Sequence, residues 1–270
     1  MTLKTLRLSR SGAKVSYREH GAGEPLVLIH GVGLKSAVWG PQIVALQDKY
    51  RVIALDMPGH GQSDPLPSGS QLPDFVTWCY DVLATLGLSS VNLAGHSMGA
   101  LIAGGFAVRY PEMTRRVALL NGVFRRDPAS RVAVEERATE IGMGQIDLKT
   151  PLARWFGNAP VEVAAKAQVA ACLGDVDPVG YGAAYSAFAR GDATYADQLC
   201  QIACPFLALT GDGDPNSTPA MSEAMAKLAH RGTAVTVMGH RHMVNLTAPD
   251  EVNTHLLAWL RQPIRQKACQ

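Results

Sequence analysis

Short apolar runs alternate along this chain with longer stretches in which apolar positions recur every three or four residues. TLRLS (5–9) and KVSYREHG (14–21) alternate apolar and polar positions with the two-residue period of a half-covered strand, and they are expected to pair. PLVLIHG (25–31) and RVIALDMPG (51–59) are continuous runs of leucine and β-branched residues, which suits strands covered on both faces of a parallel sheet. Between them AVWGPQIVALQDKY (37–50) carries a helical pattern. DFVTWCYDVLATLGL (74–88) carries a second one, with Gly87 placed as a C-cap. A strand over SVNLAGHS (90–97), a helix over MGALIAGGFAVRYP (98–111) and a strand over RRVALLNG (115–122) follow. Strand–helix alternation of this kind predicts a doubly wound α/β sheet.

The rhythm breaks between residues 124 and 197, which are alanine-rich, helical in pattern and without a convincing strand. It resumes with CPFLALTG (204–211), a helix from about Thr218, TAVTVMG (233–239) and a closing helix from Pro249 to about Arg261. The expected organisation is therefore a core of 1–123 and 198–270, with 124–197 inserted as a helical cap over one end of the sheet.

Composition narrows the picture by exclusion. A chain of 270 residues with 47% hydrophobic and 18% charged content can bury one full core. A net charge of +2, with basic residues scattered rather than interleaved with aromatics, gives no field suited to nucleic acid or a membrane surface. The five cysteines (79, 172, 200, 204 and 269) are odd in number and irregularly spaced, which argues against a disulfide framework and for a reducing compartment. Cys200 and Cys204 lack the second pair that a zinc site needs. MTLKTLRLSRSGAK (1–14) has no apolar core of signal-peptide length, so a cytoplasmic protein is expected, with self-association left open.

Candidate chemistry centres on GHSMG (95–99), set between an apolar run and an apolar helical stretch. Small residues two before and two after Ser97 permit a turn too tight for side chains at those positions. That turn is either purely structural or a device for presenting the hydroxyl above the C-terminal edge of the sheet. The motif alone is weak, and its place between strand and helix is what points to chemistry. Together with HG (30–31), DMPGHGQSD (56–64), GDGD (211–214) and GHRHMVNLTAPDEV (239–252), it resembles the landmarks of the α/β-hydrolase family, in that family's order. The resemblance spans nearly the whole chain outside 124–197. It implies a mostly parallel sheet of about eight strands with an inserted cap.

A serine hydroxyl becomes a nucleophile when a histidine takes its proton, and that histidine needs an orienting carboxylate. Of eight histidines, His20, His230 and His255 read as solvated, while His60 and His96 read as structural. The resemblance gives His30 a backbone-shaping role. His240 and His242 both follow the last strand; a His-x-His metal site there lacks further ligands nearby in sequence. The resemblance, which places the histidine a short distance before a helix-opening proline, implies His242. It likewise implies Asp214, the fourth residue of Gly-x-x-Asp, with Asp212 as a turn residue. Some relatives carry the acid after the preceding strand, but Asn121 stands there. The implied oxyanion hole joins the backbone amides of Val32 and Met98. Gly31 and Gly33 suit a tight turn rather than a phosphate cradle.

Substrate choice is expected to lie in 124–197. DPVGYGAAYSAFARGD (177–192) and ARWFG (153–157) resemble the 3-oxoadipate enol-lactonase branch of the family. A small carboxylated lactone needs a cation, for which Arg125, Arg126, Arg131, Arg154 and Arg190 are available; Arg154 beside Trp155 is the favoured choice. Trp155, Phe156, Tyr181, Tyr185 and Phe188 suit either a pocket wall or cap packing. The leading expectation is a cofactor-free, metal-free hydrolase of a small carboxylic ester or lactone, working through an acyl-enzyme on Ser97, Asp214 and His242. The alternative is a C–C bond hydrolase of aromatic ring-cleavage products. A non-catalytic ligand-binding protein of the same fold is the reading from another class.

Overall fold

In the computed structural model, which describes residues 2–145 and 147–264, the continuous apolar runs lie side by side in one sheet. Its strands are β1 (Leu3–Arg7), β2 (Lys14–His20), β3 (Glu24–Ile29), β4 (Tyr50–Leu55), β5 (Val91–His96), β6 (Thr114–Leu120), β7 (Phe206–Gly211) and β8 (Gly232–Val237). The spatial order is β1-β2-β4-β3-β5-β6-β7-β8, antiparallel at β1–β2 and β2–β4 and parallel elsewhere. Central β5 is buried along its whole length, as helices on both faces require, whereas β8 at the edge is half exposed.

The covering helices are α1 (Gly40–Leu46), α2 (Leu72–Thr85) and α3 (Met98–Arg109) from the first half of the chain. Four more, α4 (Pro128–Gly142), α5 (Lys149–Trp155), α6 (Pro160–Gly174) and α7 (Pro178–Gly191), fill the segment between β6 and β7. After β7 come α8 (Pro219–Leu228), α9 (Val244–Thr247) and α10 (Pro249–Leu260). Helix α9 is a single turn inside a segment whose sequence reads as a loop; four residues are too few to show a period. Among the described residues no helix is long and apolar enough to cross a membrane. Cys79, Cys172, Cys200 and Cys204 are free thiols, and Cys269 lies outside the described residues.

Of the four helices between β6 and β7, α7 packs on α2 and α3, and α6 packs on α9. Asp127 and Asp177 cap α4 and α7, accepting from the amides of Ser130 at 2.9 Å and Gly180 at 2.7 Å. At the start of α7, Gly180 meets Gly59 from the loop after β4 so closely that a Cβ on Gly59 would stand 2.3 Å from the Gly180 Cα. Only two glycines allow that backbone contact. An ion pair between Lys35 and Asp175, and a bond from Gln168 Nε2 to the Ala37 carbonyl at 3.2 Å, tie the same region to the loop after β3.

Candidate active site

The turn at Ser97 follows from what its neighbours lack. A Cβ on Gly95 would lie 1.9 Å from the Gly99 carbonyl oxygen, and one on Gly99 would lie 2.1 Å from that of Ile29. Ser97 itself has φ 56° and ψ −113°, a conformation that costs an L-residue about 1–3 kcal/mol and persists only where the surroundings enforce it. Its amide is held by the Leu120 carbonyl at 2.9 Å, so β6 anchors the strained residue. The side chain caps no helix amide. It faces a cavity instead, with the N-terminus of α3 directly behind it.

The loops after β7 and β8 bring Asp214 and His242 together. His242 Nδ1 and Asp214 Oδ2 are 2.7 Å apart, with side chains 4% and 0% exposed. Asp214 Oδ1 accepts from the amides of Asn216 at 2.9 Å and Ser217 at 3.2 Å, and Oδ2 also accepts from Asn121 Nδ2 at 2.8 Å. Burial would raise the Asp214 carboxyl, but the charge and hydrogen bond of His242, then the Asn121 amide, outweigh it and hold the group below the usual carboxylate range. An ionised Asp214 requires the proton on His242 Nδ1, which leaves Nε2 as the ring nitrogen able to accept. Asp212 does other work: its Oδ1 takes the amides of Gly239 at 2.8 Å and His240 at 3.2 Å, bracing the two loops. His240 is turned aside to Thr247 Oγ1 at 3.0 Å.

Two buried histidines shape the Gly31–Gly33 turn. His30 Nε2 accepts from the Met57 amide at 3.0 Å and His60 Nε2 from that of Gly33 at 2.9 Å, so each ring carries its proton on Nδ1. Those Nδ1 groups donate to the carbonyls of Gly31 at 2.7 Å and Pro58 at 3.0 Å. Burial pushes the two imidazoles down to about 4 and about 3, which keeps both neutral. The pair fixes the backbone on either side of Val32, which lines the same cavity as Ser97, while Met98 opens α3 beside it. His96 donates from Nε2 to the carbonyl of His242 at 2.8 Å, joining the elbow to the histidine loop.

The cavity over Ser97 has a volume of about 150 Å³. Its floor is core: Val32, Ser97 and His242. Its walls come from the inserted helices, including Trp155, Tyr181 and Tyr185, together with three arginines, Arg126, Arg137 and Arg154. Arg126, whose side chain is 4% exposed, pairs through Nη1 with Asp192 at 3.2 Å, lies 4.5 Å from the centre of the Phe188 ring, and keeps a buried Nη2 without a hydrogen-bond partner. Burial lowers its guanidinium pKa and Asp192 opposes that. Arg137 Nη2 donates to the Asp147 carbonyl at 2.6 Å, and the exposed Arg154 reaches Asn216 Oδ1 at 3.4 Å.

Of the other arginines expected as candidates, Arg125 pairs with Asp197, Arg131 with Asp192 at 3.1 Å, and Arg190 with Ser186 Oγ at 3.0 Å; none lines the cavity. Phe156 turns into the core, whereas Trp155, Tyr181, Tyr185 and Phe188 all face the cavity. Arg137 escaped the sequence reading. Its signal was the spacing of Ser130, Val134 and Arg137, which share one face of α4 and all line the cavity.

Comparison with known proteins agrees with this architecture. The profile of the α/β hydrolase fold family matches residues 24–145. The chain is 51% identical to (E)-2-((N-methylformamido)methylene)succinate hydrolase of Acinetobacter baylyi, over 96% of this chain and 98% of that one. It is 26% identical to 2-(acetamidomethylene)succinate hydrolase of Mesorhizobium japonicum, over 87% of each. The crystal structure of an enol-lactonase from Burkholderia xenovorans superposes with a TM-score of 0.85 at 24% identity, covering 96% of this chain and all of the other. With half its residues shared with a hydrolase along almost its entire length, and the eight-stranded, mostly parallel sheet in place, this chain is a hydrolase belonging to the α/β hydrolase fold family.

Proposed function

We propose that this hydrolase cleaves a small, doubly carboxylated N-acyl enamine of the (acylamino)methylenesuccinate type through an acyl-enzyme on Ser97. The observation that carries this reading is the set of three guanidinium groups around the cavity over Ser97. A dianion suits such a wall, because guanidinium–carboxylate bonds are charge-assisted and strongest where water is scarce. The names of the two relatives support the same class: each describes a succinate bearing an acylated nitrogen on a C=C unit. They stand nearer to the alternative expected from the sequence, a C–C bond hydrolase, than to the ester or lactone reading. The named compounds themselves carry an acylated nitrogen, and cleavage at that amide C–N bond departs from both sequence expectations.

In this reading Ser97 Oγ attacks the acyl carbonyl while His242 Nε2 takes its proton and Asp214 holds the ring. The carbonyl oxygen gains the negative charge and is met by the amides of Val32 and Met98, each worth about 3 kcal/mol to the transition state. His242 then returns the proton to the departing nitrogen, whose lone pair is delocalised through the C=C onto a carboxylate, making it a better leaving group than a simple amine. Water, activated by the same histidine, releases the acid and restores Ser97. Residues 124–197 serve as the cap, setting the carboxylates at Arg126, Arg137 and Arg154 and closing the reaction from bulk water.

The test is an assay of the purified protein on (E)-2-((N-methylformamido)methylene)succinate, p-nitrophenyl acetate and a dienone ring-cleavage product, each beside Ser97→Ala. Formate release from the first, exceeding turnover of the others and absent in the variant, is expected. Preferential cleavage of the dienone would replace this reading with the C–C hydrolase. Turnover of none, together with ligand binding, would replace it with the binding protein.

A further inference from the structure

Trp155, whose sequence context suits either a pocket wall or cap packing, lines the cavity, but its geometry relates it first to the base. Its ring lies nearly parallel to the His242 imidazole, with centroids 5.3 Å apart and planes inclined by 28°. The contact is built rather than incidental. Arg241, the residue before His242, donates from Nη1 to the carbonyls of Ala153 at 3.4 Å and Phe156 at 3.0 Å, on either side of Trp155. The backbone that carries the base therefore holds the end of α5 that carries the indole.

We infer that Trp155 is a positioning residue for the general base, its π-face stabilising the imidazolium that His242 becomes when it takes the Ser97 proton. This rests on the serine-hydrolase reading above. A cation within about 6 Å of an indole centroid is attracted by the ring quadrupole, and the attraction grows where water is excluded. Neutral imidazole gains far less, so the contact strengthens as the proton arrives, which is the condition for lowering a barrier.

Other groups face the same ring and stay in place when Trp155 is replaced. Asp214 meets Nδ1 from the loop after β7, and His96 from β5 stands edge-on with its centroid at 4.9 Å. Burial, and then the nearby His242, push His96 down to about 3, so it brings no competing charge. Across the cavity are Arg126, Asp127 and Arg137 at α4, and Arg154 beside the indole; Tyr181 and Tyr185 on α7 have phenols raised by burial and stay neutral. The cations act against the imidazolium, which makes the indole face the favourable partner on that side.

The experiment is an NMR titration of the His242 ring C–H in the wild type, Trp155→Phe and Trp155→Leu, with the resonance assigned by its loss in His242→Gln. No substrate is needed, so the result is independent of which bond the enzyme cleaves. The pKa of His242 is expected to fall by roughly half a unit to one and a half units in Trp155→Leu, and by less in Trp155→Phe, which keeps a weaker π-face. Loss of packing alone would let water reach the ring and move the pKa upward, so the sign separates the two explanations. With substrate in hand, kcat should fall roughly three- to thirtyfold with KM little changed. An unchanged or raised His242 pKa in both variants would overturn the inference, as would a loss confined to KM.

Discussion

Asp214 Oδ2 accepts from His242 and Asn121 together, at 2.7 and 2.8 Å. Asn121 reaches that position because it adopts φ 47° at the end of β6, a left-handed conformation that asparagine tolerates better than most residues. Its backbone is fixed as well, the carbonyl accepting from Ser217 Oγ at 2.7 Å. Removing the amide leaves a buried carboxylate short of one charged hydrogen bond. Asn121→Ala is expected to lose about 1.5–3 kcal/mol of stability by urea unfolding, and kcat should fall by roughly tenfold or more as the acid loosens. Unchanged kcat at lowered stability would restrict Asn121 to a structural role. The sequence showed only that no carboxylate stands at 121; that the side chain turns back onto Asp214, 93 positions away, is a tertiary fact. For His240 and His242 the resemblance pointed to His242 through its spacing to Pro249, and the fold adds that the first ring meets Thr247 while the second meets Asp214.

At the scale of elements, legibility tracked burial. Strands β3 to β7 are covered on both faces, so their sequences had to be continuous apolar runs, and those runs could be read directly. The helices of residues 124–197 were legible as helices and as the expected seat of substrate choice, but not in which arginines line the cavity. They face the core on one side and a cavity of mixed polar and apolar lining on another, which blurs the apolar stripe that marks an ordinary surface helix. Arg137 sits on the cavity face of α4, where composition gave it no more weight than any other arginine. If it binds a substrate carboxylate, Arg137→Ala should raise KM for the dicarboxylate by roughly ten- to a hundredfold, the loss of one partly buried charged pair. The neutral p-nitrophenyl acetate should lose much less. Equal losses on both substrates would mean that Arg137 only supports the cap, through Asp147.

The whole molecule carries a pH signature set by three buried histidines. His30, His60 and His96 are held neutral by burial, with pKa values lowered from 6.5 to about 4, about 3 and about 3. Below pH 6.5 the unfolded chain binds protons at these three positions that the folded chain refuses, so stability must fall with pH from 6.5 down to about 4. The slope approaches on the order of 1.4 kcal/mol per pH unit for each histidine. Asp214 adds to this lower down: its depressed carboxyl contributes stability that is lost only as pH falls through the folded-state value. Urea unfolding at about pH 7, 6 and 5 should show the decline, and His60→Gln should flatten it by about one proton. A flat profile would mean that these rings already carry charge in the folded state.

The most direct measurement is rapid-quench intact-mass spectrometry during turnover of (E)-2-((N-methylformamido)methylene)succinate. A covalent adduct of one acyl group should form, map to the peptide holding Ser97, and be absent in Ser97→Ala. Turnover of that compound that persists in Ser97→Ala, with no adduct in either protein, would contradict the acyl-enzyme on which the account rests.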